Sequence, residues 1–289
     1  MKSINPILLL FMFVACLIPT ACSNLEYSPY AADIKGNKNI IEKNVRKIRE
    51  RCTALPLRFA VVSDTHDYID DLRDALDSIG KLGYIDFVIH CGDLTDVGLP
   101  REFIWCRDCM DDCGIPYITV LGNHDCLGNG EDTYQYIFGK KNYSFTAAGV
   151  HFVCLNTNAL EYDYSEPVPD LNFIEADADS ADNENVTHTV VLMHSRPYDE
   201  QFNNNVAKAF RHYLNLYPGI REAEDSIPEG EYRGTRRRGF CINGHNHSFQ
   251  VSDIFDEGLL FFQADAIYRR SFLVFTITAD GYEMERVCY

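Results

Sequence analysis

The chain has 289 residues, 46% hydrophobic and 24% charged, a balance that excludes a mostly disordered chain and a polytopic membrane protein. This length suits two small domains or a single large α/β domain. With 26 basic residues against 43 acidic ones, the formal net charge of -17 argues against a sequence-independent grip on nucleic acid or anionic lipid headgroups, unless metal ions reverse the sign locally.

Lys2 precedes an apolar run, Ile7 to Ile18, which fits the hydrophobic region of a secretory signal peptide over 1–21 and falls short of the roughly 20 residues that span a bilayer. Thr20-Ala21-Cys22-Ser23 follows and resembles a bacterial lipoprotein cleavage site, where a small residue precedes the cysteine that is lipidated. Pro19 departs from the leucine usual at its position, so cleavage to a soluble exported protein stands as the alternative. The expectation is an exported protein, membrane-anchored through Cys22 and facing the periplasm or the outer surface. Residues 22–56 read as a tether ending in one amphipathic helix, marked by Ile41, Val45, Ile48 and Cys52 at helical spacing.

From residue 57 to 289 the pattern is that of one α/β domain. Leu57 to Val62 is an apolar run without helical period, Asp70 to Leu82 has helical period, and Asp86 to His90 is a second short apolar run. A helix over Pro100 to Cys113 and a strand over Pro116 to Leu121 complete a β-α-β-α-β half. The Pro100 helix carries Cys106, Cys109 and Cys113 on one face, which is either a thiolate metal or redox cluster or, as cysteine stripes more often are, part of a core. Further strands are predicted at Val150 to Leu155, Val186 to Met193, Gly239 to Ile242, Leu259 to Gln263 and Phe272 to Thr278, with a helix at Ala207 to Leu216. Glu161 to Asn185 holds nine carboxylates and no Lys or Arg, and reads as a solvated insert with a short helix near Phe173.

The first three strands run into polar clusters: Asp64-Thr65-His66, Gly92-Asp93, and Gly122-Asn123-His124-Asp125. Two later strands deliver His194 and Gly244-His245-Asn246-His247. Ligands of α/β sheets gather at the carboxyl ends of strands, so five such clusters in series converge on one place. Their oxygen and imidazole donors, without thiolate, suit two divalent transition-metal ions such as Mn, Fe or Zn bridged by a carboxylate, which is a hydrolytic arrangement. Gly92, Gly122 and Gly244 are expected to let the chain turn sharply before each ligand.

This ordered set resembles the calcineurin-like metallophosphoesterase superfamily, over Phe59 to about Thr278. The resemblance implies a four-layer α/β/β/α sandwich of two mixed sheets. It also implies that Asp64, His66, Asp93 and His247 hold one ion, that Asp93, Asn123, His194 and His245 hold the other, and that Asp93 bridges them. His124 is then free for substrate, with Asp125 either orienting it or capping loop amides. Gly-Asp-Leu-Thr-Asp-Val-Gly from Gly92 departs from the phosphoprotein phosphatases, since Val97 stands where they have a phosphate-binding arginine. Asp96 stands where purple acid phosphatases have their metal-binding tyrosine. The remaining likeness is to small bacterial phosphodiesterases that include class III cyclic nucleotide enzymes.

The chemistry expected is attack on phosphorus by a hydroxide bridging the ions, with His124 assisting the leaving group or steadying the phosphoryl oxygens. Arg196, Arg236, Arg237 and Arg238 are the candidate contacts for the rest of the substrate. A phosphodiesterase is the first expectation, a phosphomonoesterase the alternative on the same site, and a non-catalytic surface binding protein the alternative of another class. A small phosphate ester is the expected partner, and nucleic acid is not.

Overall fold

The computed structural model describes residues 34–182, 185–221 and 237–289, so the signal segment, Cys22 and Arg236 lie outside the described residues. In chain order the elements are α1 (Ile40–Arg51), β1 (Leu57–Val62), α2 (Ile69–Leu82), β2 (Phe87–His90), α3 (Pro100–Asp112), β3 (Tyr117–Thr119), α4 (Gly130–Ile137), β4 (Tyr143–Ala147) and β5 (Val150–Cys154). They continue with α5 (Leu171–Asp182), β6 (His188–Leu192), α6 (Ala207–Leu214), β7 (Phe240–Asn243), β8 (Gln250–Ser252), β9 (Phe261–Gln263), β10 (Ser271–Ile277) and β11 (Tyr282–Cys288).

The strands form two mixed sheets, β11-β10-β1-β2-β3 and β4-β5-β6-β7-β9-β8. In the first, β1, β2 and β3 run parallel and β10 pairs antiparallel to β1. In the second, β5, β6, β7 and β9 are parallel, with antiparallel strands at both edges. Parallel strands buried on both faces read as continuous apolar runs, which is why β1, β2, β5 and β6 are legible in the sequence.

Aromatic rings join the sheets. Phe59 stacks in register with Phe87 and Phe275 at 5.3 Å on its own sheet, and meets Phe152 of the facing sheet edge-on at 5.5 Å. Phe240 stacks on Phe275 at 4.9 Å across the same interface. Offset and edge-on geometries suit the ring quadrupole, and each pair contributes roughly 0.5–1.5 kcal/mol beyond its burial. The outer face of the second sheet packs Val153, Val191 and Cys241 against Ile174 and Ala178 of α5 and Phe210 and Leu214 of α6. Leu72, Leu76 and Ile79 of α2 and Phe103 and Met110 of α3 are buried with the first sheet. The expected four-layer architecture is therefore present.

Several boundaries differ from the sequence reading. The insert holds a full helix rather than a short one, because Ile174, Ala178 and Ala181 share a buried face while most of its acids look outward. Asp177 is the exception, since its carboxylate meets His151 Nε2 and Tyr217 Oη, both at 2.9 Å. α4, β4, β8 and β11 were not anticipated; β11 is largely exposed and lacks an apolar run. The cysteine stripe on α3 belongs to the core, where burial raises the thiols of Cys106, Cys109 and Cys113 and keeps them protonated. All nine cysteines among the described residues are unpaired.

Candidate metal centre

Five strands deliver their first loop residues to one edge of the sandwich. Asp64 and His66 follow β1, Asp93 follows β2, Asn123 and His124 follow β3, His194 follows β6, and His245 and His247 follow β7. One donor atom from each of Asp64, His66, Asp93 and His247 lies within 4.8 Å of the others. His66 Nε2 is 3.2 Å from His247 Nε2 and 3.7 Å from Asp93 Oδ2, and His247 Nε2 is 3.5 Å from Asp64 Oδ1. A second group shares Asp93: His194 Nε2 is 3.2 Å from Asp93 Oδ2 and 3.1 Å from Asn123 Oδ1, which is also 3.1 Å from His245 Nδ1.

The local electrostatics call for cations. Asp64 and Asp93 are buried side by side; burial and the charge of Asp93 push Asp64 up to about 7. Burial acts the same way on Asp93, but His194 outweighs it and holds that carboxyl below its ordinary range. Burial likewise opposes charge on His194, yet Asp93 lifts its imidazole to about 10. The Nδ1 of His194 donates to the Cys91 carbonyl at 2.8 Å, so Nε2 faces the Asn123 oxygen and the Asp93 carboxylate with the only remaining site for charge. His66 and His247 are held neutral, chiefly by burial, and bring two imidazole nitrogens face to face. One cation placed among these carboxylates and ring nitrogens would satisfy several of them at once. Two carboxylates, four imidazoles and one amide oxygen, with no thiolate, fit a pair of divalent transition-metal ions.

The glycines act differently from the sequence expectation. Of Gly92, Gly122 and Gly244, only Gly92 has a positive φ, of 92°; the left-handed turns fall on the donors themselves, at Asp64, His66, Asp93, His245 and His247. Gly122 and Gly244 provide room instead. A Cβ on Gly122 would lie 2.0 Å from the Asp93 amide nitrogen, and one on Gly244 would lie 2.1 Å from Ser63 Oγ.

His124 donates its backbone N–H to Asp93 Oδ1 at 2.9 Å. Its ring Nδ1 lies 2.6 Å from the Asp96 carbonyl oxygen, which only accepts, so Nδ1 carries the proton and Nε2 is left for another partner. Asp125 does not orient that ring. Fully buried, it accepts hydrogen bonds from the amides of Leu94, Thr95 and Gly122 and from the Thr95 hydroxyl, and so caps the loops after β2 and β3. The orienting contact belongs to Asp96, whose carboxylate also lies 3.4 Å from His66 Nδ1. Glu200, which accepts at 3.0 Å from His245 Nε2, had no sequence signal because its loop carries no motif.

Of the candidate substrate arginines, Arg196, Arg237 and Arg238 are among the described residues, and each is engaged or placed elsewhere. Arg196 bonds Ser252 Oγ and Gln250 Oε1 and faces Asp199. Arg237 is buried against Asn215 Oδ1 and the Ile220 carbonyl. Arg237 and Arg238 precede β7, at the strand end opposite the histidines, and a four-residue strand separates the two ends by roughly 13 Å.

A family model described as calcineurin-like phosphoesterase matches residues 57–249. The chain belongs to the calcineurin-like phosphoesterase family. A probable cyclic nucleotide phosphodiesterase of Xenorhabdus bovienii (strain SS-2004) is 29% identical over 86 residues, which span 28% of this chain and 35% of that relative's length. A dimetal phosphatase of Danio rerio superimposes with a TM-score of 0.58 at 14% identity, over 80% of this chain and 96% of that one. A purple acid phosphatase from yellow lupin superimposes with a TM-score of 0.51 at 14% identity, over 81% of this chain and 52% of that one. Both likenesses are of fold.

Replacing Gly122 with alanine tests the close approach of the β2 and β3 loops. Overpacking here should cost about 1–3 kcal/mol. Gly122→Ala should lower the melting temperature and the bound metal together, as thermal denaturation and elemental analysis would report, whereas Gly83→Ala, at a site open to solvent but with positive φ, should lower stability alone.

Proposed function

We propose that this phosphoesterase hydrolyses phosphodiesters at a two-ion centre held by Asp64, His66, Asp93, Asn123, His194, His245 and His247. The observation that carries the reading is the placement of Asp93, whose carboxylate lies 3.2 Å from His194 and 3.7 Å from His66, so that it stands in both donor groups. Divalent ions held there would supply positive charge against the phosphate oxygens and acidify a water to near-neutral pH. The chain's own part is positional. Asp64 and Asp93 fix the charge of the centre, the Cys91 carbonyl and Glu200 orient His194 and His245, and the Asp96 carbonyl fixes the His124 ring.

His124 holds a proton for the ester oxygen that leaves. With Nδ1 committed to Asp96, Nε2 is the atom that faces substrate, and as an imidazolium it donates there. A diester is favoured because it carries a single negative charge. Arg196 and Arg237 are spent on protein partners and Arg238 lies at the far strand end, so none is placed to meet the second charge of a monoester. The diester relative supports the same preference. The purified, metal-loaded chain should therefore give a higher kcat/KM on bis(p-nitrophenyl) phosphate than on p-nitrophenyl phosphate; the reverse order would replace this reading by a phosphomonoesterase.

Location is a separate part of the proposal: an exported lipoprotein anchored through Cys22, as supported by the apolar run and the Ala21-Cys22 step. Acyl chains contribute about 0.8 kcal/mol per buried methylene, enough for anchoring that salt does not reverse. The wild-type protein should sediment with membranes through a high-salt wash, and Cys22→Ser should release it.

Two substitutions separate metal binding from proton transfer. Asp93→Asn should strip most of the metal, seen by elemental analysis, and abolish turnover with it; two ions and full activity in that variant would refute the bridging role. His124→Ala should keep the metal while losing roughly 10²-fold in kcat on alkyl esters, and less on nitrophenyl esters, whose leaving groups need little protonation.

A further inference from the structure

A net charge is a sum, and the fold distributes it unevenly. The twelve residues of α1, IIEKNVRKIRER, contain five basic side chains and two acidic ones. Lys43, Arg46, Arg49 and Arg51 are exposed on this helix, and Lys140 is exposed on the loop beside it. None of these five ion-pairs with a carboxylate among the described residues, although the chain has 43 acidic residues and elsewhere pairs Lys141, Arg211, Arg270 and Arg286 with them. Exposed cations left unpaired on one flank of an acidic protein mark a face suited to a negatively charged partner.

The same flank holds a groove of about 910 Å³ between α1 and the segment joining α4 to β4. Ile41, Val45 and Phe138 line it, with Arg46 and Arg49 on the helix side and Lys140 on the other; Glu42 and Glu50 are its acidic members. The helix is fixed in place, since Asn44 Nδ2 donates to the Tyr117 carbonyl at 2.9 Å and the Ile41 amide to the Phe138 carbonyl at 3.0 Å. Apolar lining below and cations above match an amphiphile with an anionic head.

We propose that this groove and the basic face of α1 bind anionic phospholipid, so that the domain rests on a membrane by this flank. The position in the chain agrees. Ile34, the first described residue, is twelve residues from Cys22, a span of at most roughly 40 Å even when fully extended, so an anchor at the amino terminus keeps this face within reach of headgroups. The donor cluster lies at the strand ends and the groove beside the edge strands β3 and β4, so occupation of the groove leaves the centre open. For its reach the inference rests on the anchor proposed at Cys22, and it does not depend on which ester is hydrolysed.

Acylation of lysines by an amine-reactive ester, read site by site by mass spectrometry on the full chain, tests it. With vesicles of phosphatidylcholine containing phosphatidylglycerol, Lys43 and Lys140 should react severalfold more slowly than with phosphatidylcholine alone, while Lys81 on α2 is unchanged. High salt should erase the difference, because it screens headgroup charge. Arg46→Glu with Arg49→Glu should remove the protection and leave turnover of a soluble ester intact, which certifies the fold. Equal rates on both vesicles would overturn the proposal. Protection of Lys43 and Lys140 already present without lipid would overturn it too, by showing that the chain's own residues or a second copy covers the groove.

Discussion

Two carboxylates buried beside each other govern this structure. Asp64 and Asp93 stand at the ends of adjacent parallel strands, where neither has the water that would stabilise its charge. Isolated buried charge is costly enough that a protein must neutralise it, protonate it or surround it with cations. Here the fold draws His194 to Asp93 and raises the imidazole, which leaves Asp64 to share what charge remains. A divalent ion held there would relieve the same imbalance more completely than a proton does, because it would satisfy several donors at once.

Holding such donors in place has a backbone cost. Five of them adopt left-handed conformations, which are uncommon for residues other than glycine even though Asp and His enter them more readily than most. That conformation persists because each loop is bound on both sides: the amides of Asp64, Thr65 and His66 reach the β2 loop, and the His245 amide reaches Asp64. Asp125 ties the β2 loop to the β3 loop through three hydrogen bonds and accepts a fourth from Gly122 within its own loop. The centre is thus a set of interlocked strand ends, and the parallel ladders beneath supply the rigidity that the loops lack.

The sequence carried the centre more clearly than it carried the frame. Apolar runs between polar clusters located β1, β2, β3, β6 and β7 and the donors behind them, because doubly buried strands have no alternation to blur. Residues whose burial depends on distant partners were not legible. The α5 helix hid inside an acidic segment since its buried stripe is Ile174, Ala178 and Ala181, two of them small. Asp125 looked like a catalytic neighbour of His124 by adjacency, yet a 3-10 turn over His124–Cys126 sends the two side chains apart, one to the solvent side and one into the loops. Arg237 and Arg238 looked close to His245 because proximity along the chain ignores the length of a strand. Asp96 and Glu200 act through a carbonyl and a loop carboxylate, features that no residue spacing encodes.

The unpaired cysteines have a consequence for the redox chemistry open to the folded chain. Burial raises the thiols of Cys91, Cys106 and Cys241 far above their ordinary range, and those of Cys52 and Cys109 to about 11. Disulfide exchange needs thiolate and access, and these groups have neither. The aromatic interface between the sheets supplies the cohesion that small exported domains often take from cross-links. Once folded, the domain therefore offers these thiols to neither a reducing nor an oxidising environment, and Cys288, on the last strand, is the exposed thiol among the described residues.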